Sequence, residues 1–526
     1  MWRRRLKPMR VAVALAVMGG LTAALVDFRG AVPAAVGHAL ASVQLVPATM
    51  AALTGASSVA VVLVGLIIAV TLLGGRVYCS VICPLGILQD AVARIVLWRS
   101  RGLRRLFYAR PQNSLRYGFF GLTVLGIAAG SGGLTLALLD PYSHYGRIAA
   151  VLFRPLLVLL NNALVGAGEW LGVPVLYRVE PPWLGWGALA LPLFMLGLTG
   201  ALAVWRGRLF CNTVCPAGTL LGLVARRAAW RISLDRAACR KCGDCLTTCK
   251  AQCIDLRSGR IDASRCVACF NCIGVCAEQG VGYRFTWKKL GSPADPVPNP
   301  TADVGRRNFI ASAAVMSAAT VSIVPHLLAA EVESPPTDRN GSDAVCPPGS
   351  GDVERFLSRC TACHLCVSSC PTQVLRPALL EYGLAGLLRP RLDFSRAFCN
   401  YDCRRCAEVC PDGAITLIDL AEKQLTRIGR ASFNQKLCVV ERDGTDCAAC
   451  SEHCPTKAVD TVPFRNGLRL PEVKAELCIG CGACEFACPV KPEKAITVQG
   501  RRRHERATKA VEAKPAPRPI AKEFPF

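Results

Sequence analysis

The stretch Cys478-Ile-Gly-Cys481-Gly-Ala-Cys484-Glu-Phe-Ala-Cys488-Pro489 decides how this chain is read. Three thiols at steps of three can ligate one cuboidal iron-sulfur cluster, while the fourth, four residues on and followed by proline, points toward a second cluster. The same run recurs at Cys239, Cys242, Cys245 and Cys249, at Cys266, Cys269, Cys272 and Cys276, and at Cys360, Cys363, Cys366 and Cys370. It returns in stretched form at Cys399, Cys403, Cys406 and Cys410 and at Cys438, Cys447, Cys450 and Cys454. Six sets of four take up 24 of the 30 cysteines, which predicts six 4Fe-4S clusters in α+β bacterial ferredoxin-like domains. Disulfide pairing is the competing reading of so many cysteines, but the regular spacing is that of metal ligation.

A chain of 526 residues with 52% hydrophobic composition and a mean hydropathy of +0.34 has room for several domains and a membrane part. Its net charge of +25 raises the question of nucleic acid. The basic residues, however, sit beside apolar runs and in the last 26 residues, without interleaved aromatics. Membrane topology accounts for them, and no nucleic-acid partner is expected.

Residues 1–235 read as an α-helical membrane domain of four spans. The first is Val11 to Val26, preceded by Arg3, Arg4, Arg5, Lys7 and Arg10. The second is Ser57 to Leu73, followed by a loop with seven arginines from Arg94 to Arg116 that belongs in the cytoplasm. That charge permits one crossing back, so the weaker segment with Gly30, Pro33, His38 and Pro47 is expected along the outer surface. A third span runs from Tyr117 to Leu139. Residues 148–173, interrupted by Arg154, Asn161, Asn162 and Glu169, are expected on the outer surface, and the fourth span is Leu184 to Trp205.

After the second and fourth spans come Tyr78-Cys79-Ser-Val-Ile-Cys83-Pro84-Leu-Gly86 and Phe210-Cys211-Asn-Thr-Val-Cys215-Pro216-Ala-Gly218. Cysteines four apart share a helical face. The duplication makes Cys79, Cys83, Cys211 and Cys215 a candidate for a metal, a further cluster or a redox disulfide, against the bland reading of small residues before a helix-breaking proline. Four spans, two C-x3-C-P motifs, Leu139-Asp140-Pro141-Tyr142-Ser143 and a following two-cluster ferredoxin resemble the NapH family of membrane ferredoxins, related to MauN, NosR and CcoG. The resemblance covers residues 1–285 and implies quinol-linked electron transfer. Quinol oxidation needs a proton acceptor, and Asp140 with His144 is the acid-histidine pair near a span end; the alternative is a helix terminus with a polar loop.

In the two-cluster pattern the fourth cysteine of each run serves the other cluster. Residues 236–285 thus pair Cys239, Cys242 and Cys245 with Cys276, and Cys266, Cys269 and Cys272 with Cys249, in a cytoplasmic domain. Cys253 is extra and fits a small core residue. Residues 286–335 form a linker and a fifth crossing, in which Arg306-Arg307-Asn308-Phe309-Ile310 resembles a twin-arginine export signal. Beyond it, Cys346-Pro-Pro-Gly349 and four cysteine sets in residues 336–500 resemble NapG and MauM, so that the chain reads as a NapH-NapG fusion with a periplasmic four-cluster domain. Cluster pairing there is open between sequential and first-with-fourth. Cys360-Thr-Ala-Cys363-His364 also matches a haem-attachment pattern, but attachment would strip two ligands from a complete ferredoxin run. Residues 501–526 read as a basic disordered tail.

These features predict a multi-pass protein of the bacterial inner membrane, in contact with lipid and the quinone pool. It would pass electrons from quinol to a periplasmic cytochrome or reductase as a quinol dehydrogenase-type subunit. By family resemblance the acceptor is a nitrate reductase system, with nitrous oxide reduction or amine oxidation as neighbours. An electron-donating maturation factor for a periplasmic metalloenzyme is the second reading. In either case the two inner and four outer clusters stand at least ~30 Å of hydrocarbon apart, with no bis-histidine haem site to join them.

Overall fold

A computed structural model describes residues 2–99, 107–128, 132–172, 176–181, 186–286 and 344–509. The linker, the twin-arginine segment and residues 510–526 lie outside them. The chain divides into two compact units. One comprises Met1–Arg339, Glu354–Arg391 and Arg405–Thr416, and the other Asn340–Val353, Leu392–Arg404 and Leu417–Phe526. This differs from the expected single body over residues 336–500, because part of that region packs with the membrane helices.

The first unit contains two copies of one helical plan. The first copy is α1 (Trp2–Val26), α2 (Ala34–Ser42), α3 (Leu45–Leu53), α4 (Ser58–Gly74), α5 (Tyr78–Val81) and α6 (Pro84–Arg99). The second is α7 (Asn113–Ala128), α8 (Gly132–Leu139), α9 (Pro141–Ile148), α10 (Arg154–Trp170), α11 (Trp186–Arg206), α12 (Leu209–Thr213) and α13 (Pro216–Ala225). The copies are interlocked, with α6 packed on α11 and α13 on α4. Leu156, Leu159, Leu160 and Leu164 of α10 and Leu193, Phe194 and Leu198 of α11 are exposed, as are Val61, Val62, Leu66 and Val70 of α4. Apolar faces of that extent suit a lipid environment.

Among the described residues, Arg5–Val26, Pro141–Trp170 and Gly187–Arg206 are long and apolar enough to cross a membrane, while α2 and α3 qualify together but bend by 89°. Three expectations change. The span Tyr117 to Leu139 is not one helix: a Cβ on Gly126 would come within 2.9 Å of Thr135, so α7 and α8 lie side by side. The segment around Pro47 is not a surface strap, since α3 buries Leu45, Val46, Ala48, Met50 and Ala51, and Gln44 at its start is fully enclosed. Finally, residues 148–170 continue a 30-residue apolar helix from Pro141 through a π-helical turn at Ala149–Phe153. Asn161 and Asn162 are satisfied within it by the carbonyls of Tyr177 and Val179.

Residues 230–286 form two antiparallel pairs, β1 (Trp230–Leu234) with β4 (Val281–Phe285) and β2 (Ile254–Asp255) with β3 (Arg260–Ile261). Ile232, Ile254, Phe270 and Val281 pack around Cys245, Cys249 and Cys272, and Leu6 of α1 enters the same core. The second unit is built on Thr426–Phe433 paired with Ile496–Arg506 and Val459–Pro463 paired with Arg469–Val473. Arg501 to Arg506 are therefore strand rather than the start of a tail. Glu505 lies 2.6 Å from Arg501 and 3.7 Å from Arg427, and the His504 amide donates to Gly351.

The helix reversal can be tested by Gly126→Val, which should lower stability by about 1–3 kcal/mol through overpacking. Gly121→Val, where nothing lies within 4 Å, should leave the unfolding temperature in detergent almost unchanged.

Candidate functional site

The cysteine sets gather as groups of sulfurs within electrostatic reach of one another. Cys245 lies near Cys239, Cys242 and Cys276, and Cys272 near Cys249, Cys266 and Cys269. The Cys253 sulfur is 3.6 Å from that of Cys249, fully inside the core. In the second unit Cys438 lies near Cys447 and Cys488, and Cys484 near Cys450, Cys454, Cys478 and Cys481. In the first unit Cys366 lies near Cys360, Cys363, Cys406 and Cys410. The groups thus join runs that are neighbours in sequence, each drawing a member from the adjoining run. Asp412 ties two runs together by accepting from the Thr361 amide at 3.1 Å and hydroxyl at 2.6 Å.

Iron fits these donors. Burial pushes the Cys245 and Cys269 thiols up to about 11, and those of Cys360, Cys450 and Cys481 up to about 12. Without a cation such sulfurs stay protonated; a metal core supplies the charge that makes them thiolates. Among the described residues no His, Cys, Asp or Glu group converges closely enough for a single ion.

The C-x3-C-P cysteines form a further group, and all four are buried. Cys83 is near Cys79 and Cys211, and Cys215 is near all three. Each motif ends at a helix start where proline and glycine open the turn. Cys215 Sγ accepts from the Gly218 amide at 3.2 Å, and Cys83 accepts from that of Gly86. Two arginines with almost no exposure enclose the group. Arg76 donates to Asn212 Oδ1 at 2.8 Å, to the Cys211 carbonyl at 3.2 Å and to Cys79 Sγ at 3.7 Å. Arg208 donates to the Cys79 carbonyl at 2.6 Å and to Asp90 at 2.9 Å. Asp90 also meets Lys250 at 3.1 Å and Arg10 at 3.5 Å. Burial opposes ionisation of Asp90, yet Arg208 and Lys250 outweigh it and hold the carboxyl well below its usual range. Sequence reasoning missed both arginines. The signal was present, since Arg76 and Arg208 each stand three residues before the first cysteine, making Arg-x2-Cys-x3-Cys-Pro-x-Gly the true repeat.

Asp140 and His144 are both buried. Asp140 caps α9, accepting from the Tyr142 amide at 3.3 Å, the Ser143 amide at 2.8 Å and the Ser143 hydroxyl at 2.7 Å. Proline at the first helical position completes that start. His144 Nδ1 donates to the Asp140 carbonyl at 2.9 Å, and its ring meets Phe210 edge-on at 5.5 Å. Further along α9, Arg147 is fully buried near Cys360 and Cys363, with no hydrogen-bond partner for its three nitrogens.

A 4Fe-4S binding domain model matches residues 58–105 and 187–233, and 4Fe-4S dicluster models match 359–415, 444–492 and 398–458. Each segment of the first match contains one C-x3-C-P motif. The ferredoxin-type protein NapF of Escherichia coli is 30% identical over 161 residues, 31% of this chain and 88% of NapF. The chain belongs to the ferredoxin-type proteins represented by NapF. NapH of Haemophilus influenzae is 30% identical over 217 residues, 39% of this chain and 61% of that protein. MauM of Methylorubrum extorquens, a methylamine utilization ferredoxin-type protein, is 29% identical over 187 residues, 33% of this chain and 80% of MauM. No solved structure matches the chain. As a ferredoxin-type protein with candidate spans, it is an iron-sulfur electron-transfer protein of the membrane.

Asp90 is the anion on which Arg208, Lys250 and Arg10 depend. Asp90→Asn leaves buried cations unanswered and should cost about 3–5 kcal/mol, read as a lower unfolding temperature. Glu169→Gln, at an exposed pair with Arg178, should cost under about 1 kcal/mol.

Proposed function

We propose that this protein carries electrons from the quinol pool across the bacterial inner membrane to a periplasmic reductase system. Cys239, Cys242, Cys245, Cys249, Cys266, Cys269, Cys272 and Cys276 hold two 4Fe-4S clusters on the cytoplasmic side. The sixteen cysteines from Cys360 to Cys488 hold four on the periplasmic side. By kinship with NapF, NapH and NapG the terminal acceptor is a nitrate reductase system, reached directly or through a cytochrome; the MauM relative extends the same role to amine oxidation.

The observation that carries this reading is the placement of α11. Gly187 at its start abuts Leu379, beside the Cys360 to Cys370 run, while Gly207 just past its end abuts the Lys250 carbonyl, next to Cys249. A helix of 21 residues is about 30 Å long, the thickness of a bilayer core. Contacts with ferredoxin segments near both ends of one span-length helix support transfer across the membrane.

Quinol oxidation releases protons as well as electrons. With the Asp140 carboxylate engaged in its cap, the acceptor is His144, whose Nε2 is left free to accept by the donation from Nδ1. In anaerobically purified protein a quinol analogue should reduce clusters observed by EPR. His144→Gln should abolish that reduction while leaving iron content and dithionite reduction intact. Unchanged quinol-driven reduction in the variant would remove His144 from the reaction, and an iron-poor wild type would remove the electron-transfer role.

A further inference from the structure

We infer that Cys79, Cys83, Cys211 and Cys215 together hold one more iron-sulfur cluster, shared between the two helical repeats, charge-balanced by Arg76 and Arg208, and placed as the electron step between the inner and outer clusters. The relay rests on the electron-transfer reading; the centre itself does not.

Charge favours an anionic occupant over a pair of disulfides, which would be neutral. Arg76 and Arg208 are almost completely buried, and among the described residues Arg76 Nε, Arg208 Nη2 and the Gln89 amide nitrogen have no acceptor. Unanswered donors in so enclosed a place are costly unless a ligand accepts from them. A four-iron cube bound by four thiolates is a dianion in its oxidised state, and it presents sulfur acceptors on its faces. The arginines also cross over: Arg76 of the first repeat reaches the Cys211 carbonyl and lies against Gly218, whereas Arg208 of the second reaches the Cys79 carbonyl and lies against Gly86. Only glycine fits at either place, since a Cβ on Gly86 would lie 2.6 Å from the Cys79 carbonyl. Each repeat thus supplies two sulfurs and one cation that also reaches the backbone of the other repeat.

Its neighbours make the site a relay. On one side Arg76 donates to the Ser264 carbonyl at 3.0 Å and lies in electrostatic reach of Cys266; Asp90 and Lys250 lie in reach of Cys269. On the other side, Phe210 precedes Cys211 and meets the His144 ring, while Tyr78 precedes Cys79 and lies in reach of Asp140. Both contacts lead onto α9, where Tyr142 and Arg147 are within reach of Cys363 and Gly146 abuts the Cys363 carbonyl. All these residues belong to the first unit. The step balances without protons: the centre gains one electron from a reduced cluster on one side, which is oxidised by one unit. It then returns to its oxidised state by reducing a cluster on the other side.

The test compares full-length protein, purified without oxygen, with Cys83→Ser/Cys215→Ser, Arg76→Gln and Arg208→Gln. The cysteine variant should lose about four irons and four sulfides per chain, with one potential-poised EPR signal gone and the others kept. The arginine variants should keep the iron and move one signal to lower potential, because a lost cation disfavours the added electron. Wild-type iron content in the cysteine variant overturns the centre. If that variant fails to fold, an unshifted set of potentials in both arginine variants overturns it instead. In vesicles given a membrane-impermeant reductant on one side, the cysteine variant should reduce far-side clusters at least tenfold more slowly than wild type. Equal rates overturn the relay. A wild type that passes no electrons overturns the relay and the electron-transfer reading together, while the iron count still decides the centre.

Discussion

Buried guanidinium groups must be answered by negative charge, and this protein is short of carboxylates to answer them. It has 62 lysines and arginines against 37 acids, and Arg76, Arg116, Arg147, Arg208 and Arg389 are all buried almost completely. Removing an isolated cation from water costs several kcal/mol even after relaxation. Asp90 serves three cations at once, and Arg116 donates to the hydroxyl and carbonyl of Ser264 at 3.0 and 3.1 Å. Among the described residues, Arg147, beside Cys360 and Cys363, has no hydrogen-bond partner. Thiolate-ligated clusters would set negative charge beside such cations.

That arrangement also explains why the helices repeat. A single copy of the plan presents one cysteine pair and one arginine. Two copies, with α6 on α11 and α13 on α4, let each arginine reach the other repeat's cysteine carbonyl as well and seat the first ferredoxin domain beside them. The Tyr283 hydroxyl donates to the Gly74 carbonyl at 3.0 Å, and the Ala229 amide to that of Leu72 at 2.8 Å. Membrane helices and ferredoxin thus share backbone hydrogen bonds as well as a core.

Much of this was legible from spacing alone. Ligands that must meet a cube at fixed separations leave a rigid signature, so the runs at Cys239 and Cys478 announced themselves. Asp140-Pro141 read as a helix terminus, and the structure adds that Asp140 caps the helix that starts there. The path of the chain between spans was less legible. Charge sets the side on which a loop lies, but it does not distinguish a surface strap from a short buried half-helix, and residues 34–53 are uncharged in either case. The α7 to α8 reversal depends on a Gly126 contact nine residues away, which no helical period encodes. The sequential grouping of Cys366 with Cys410, and of Cys484 with Cys454, is set by tertiary packing that stretched spacing left open. Arg76 and Arg208 were overlooked because arginines beside a span read as topology signals before they read as ligands' partners.

The account stands on inorganic iron held by regularly spaced sulfurs. Mössbauer spectroscopy of iron-57-enriched protein, purified without oxygen, tests this most directly. The account predicts that essentially all the bound iron appears as cubane 4Fe-4S clusters, diamagnetic when oxidised. Iron found as isolated ions, or a protein free of iron with its cysteines joined in disulfides, would contradict it.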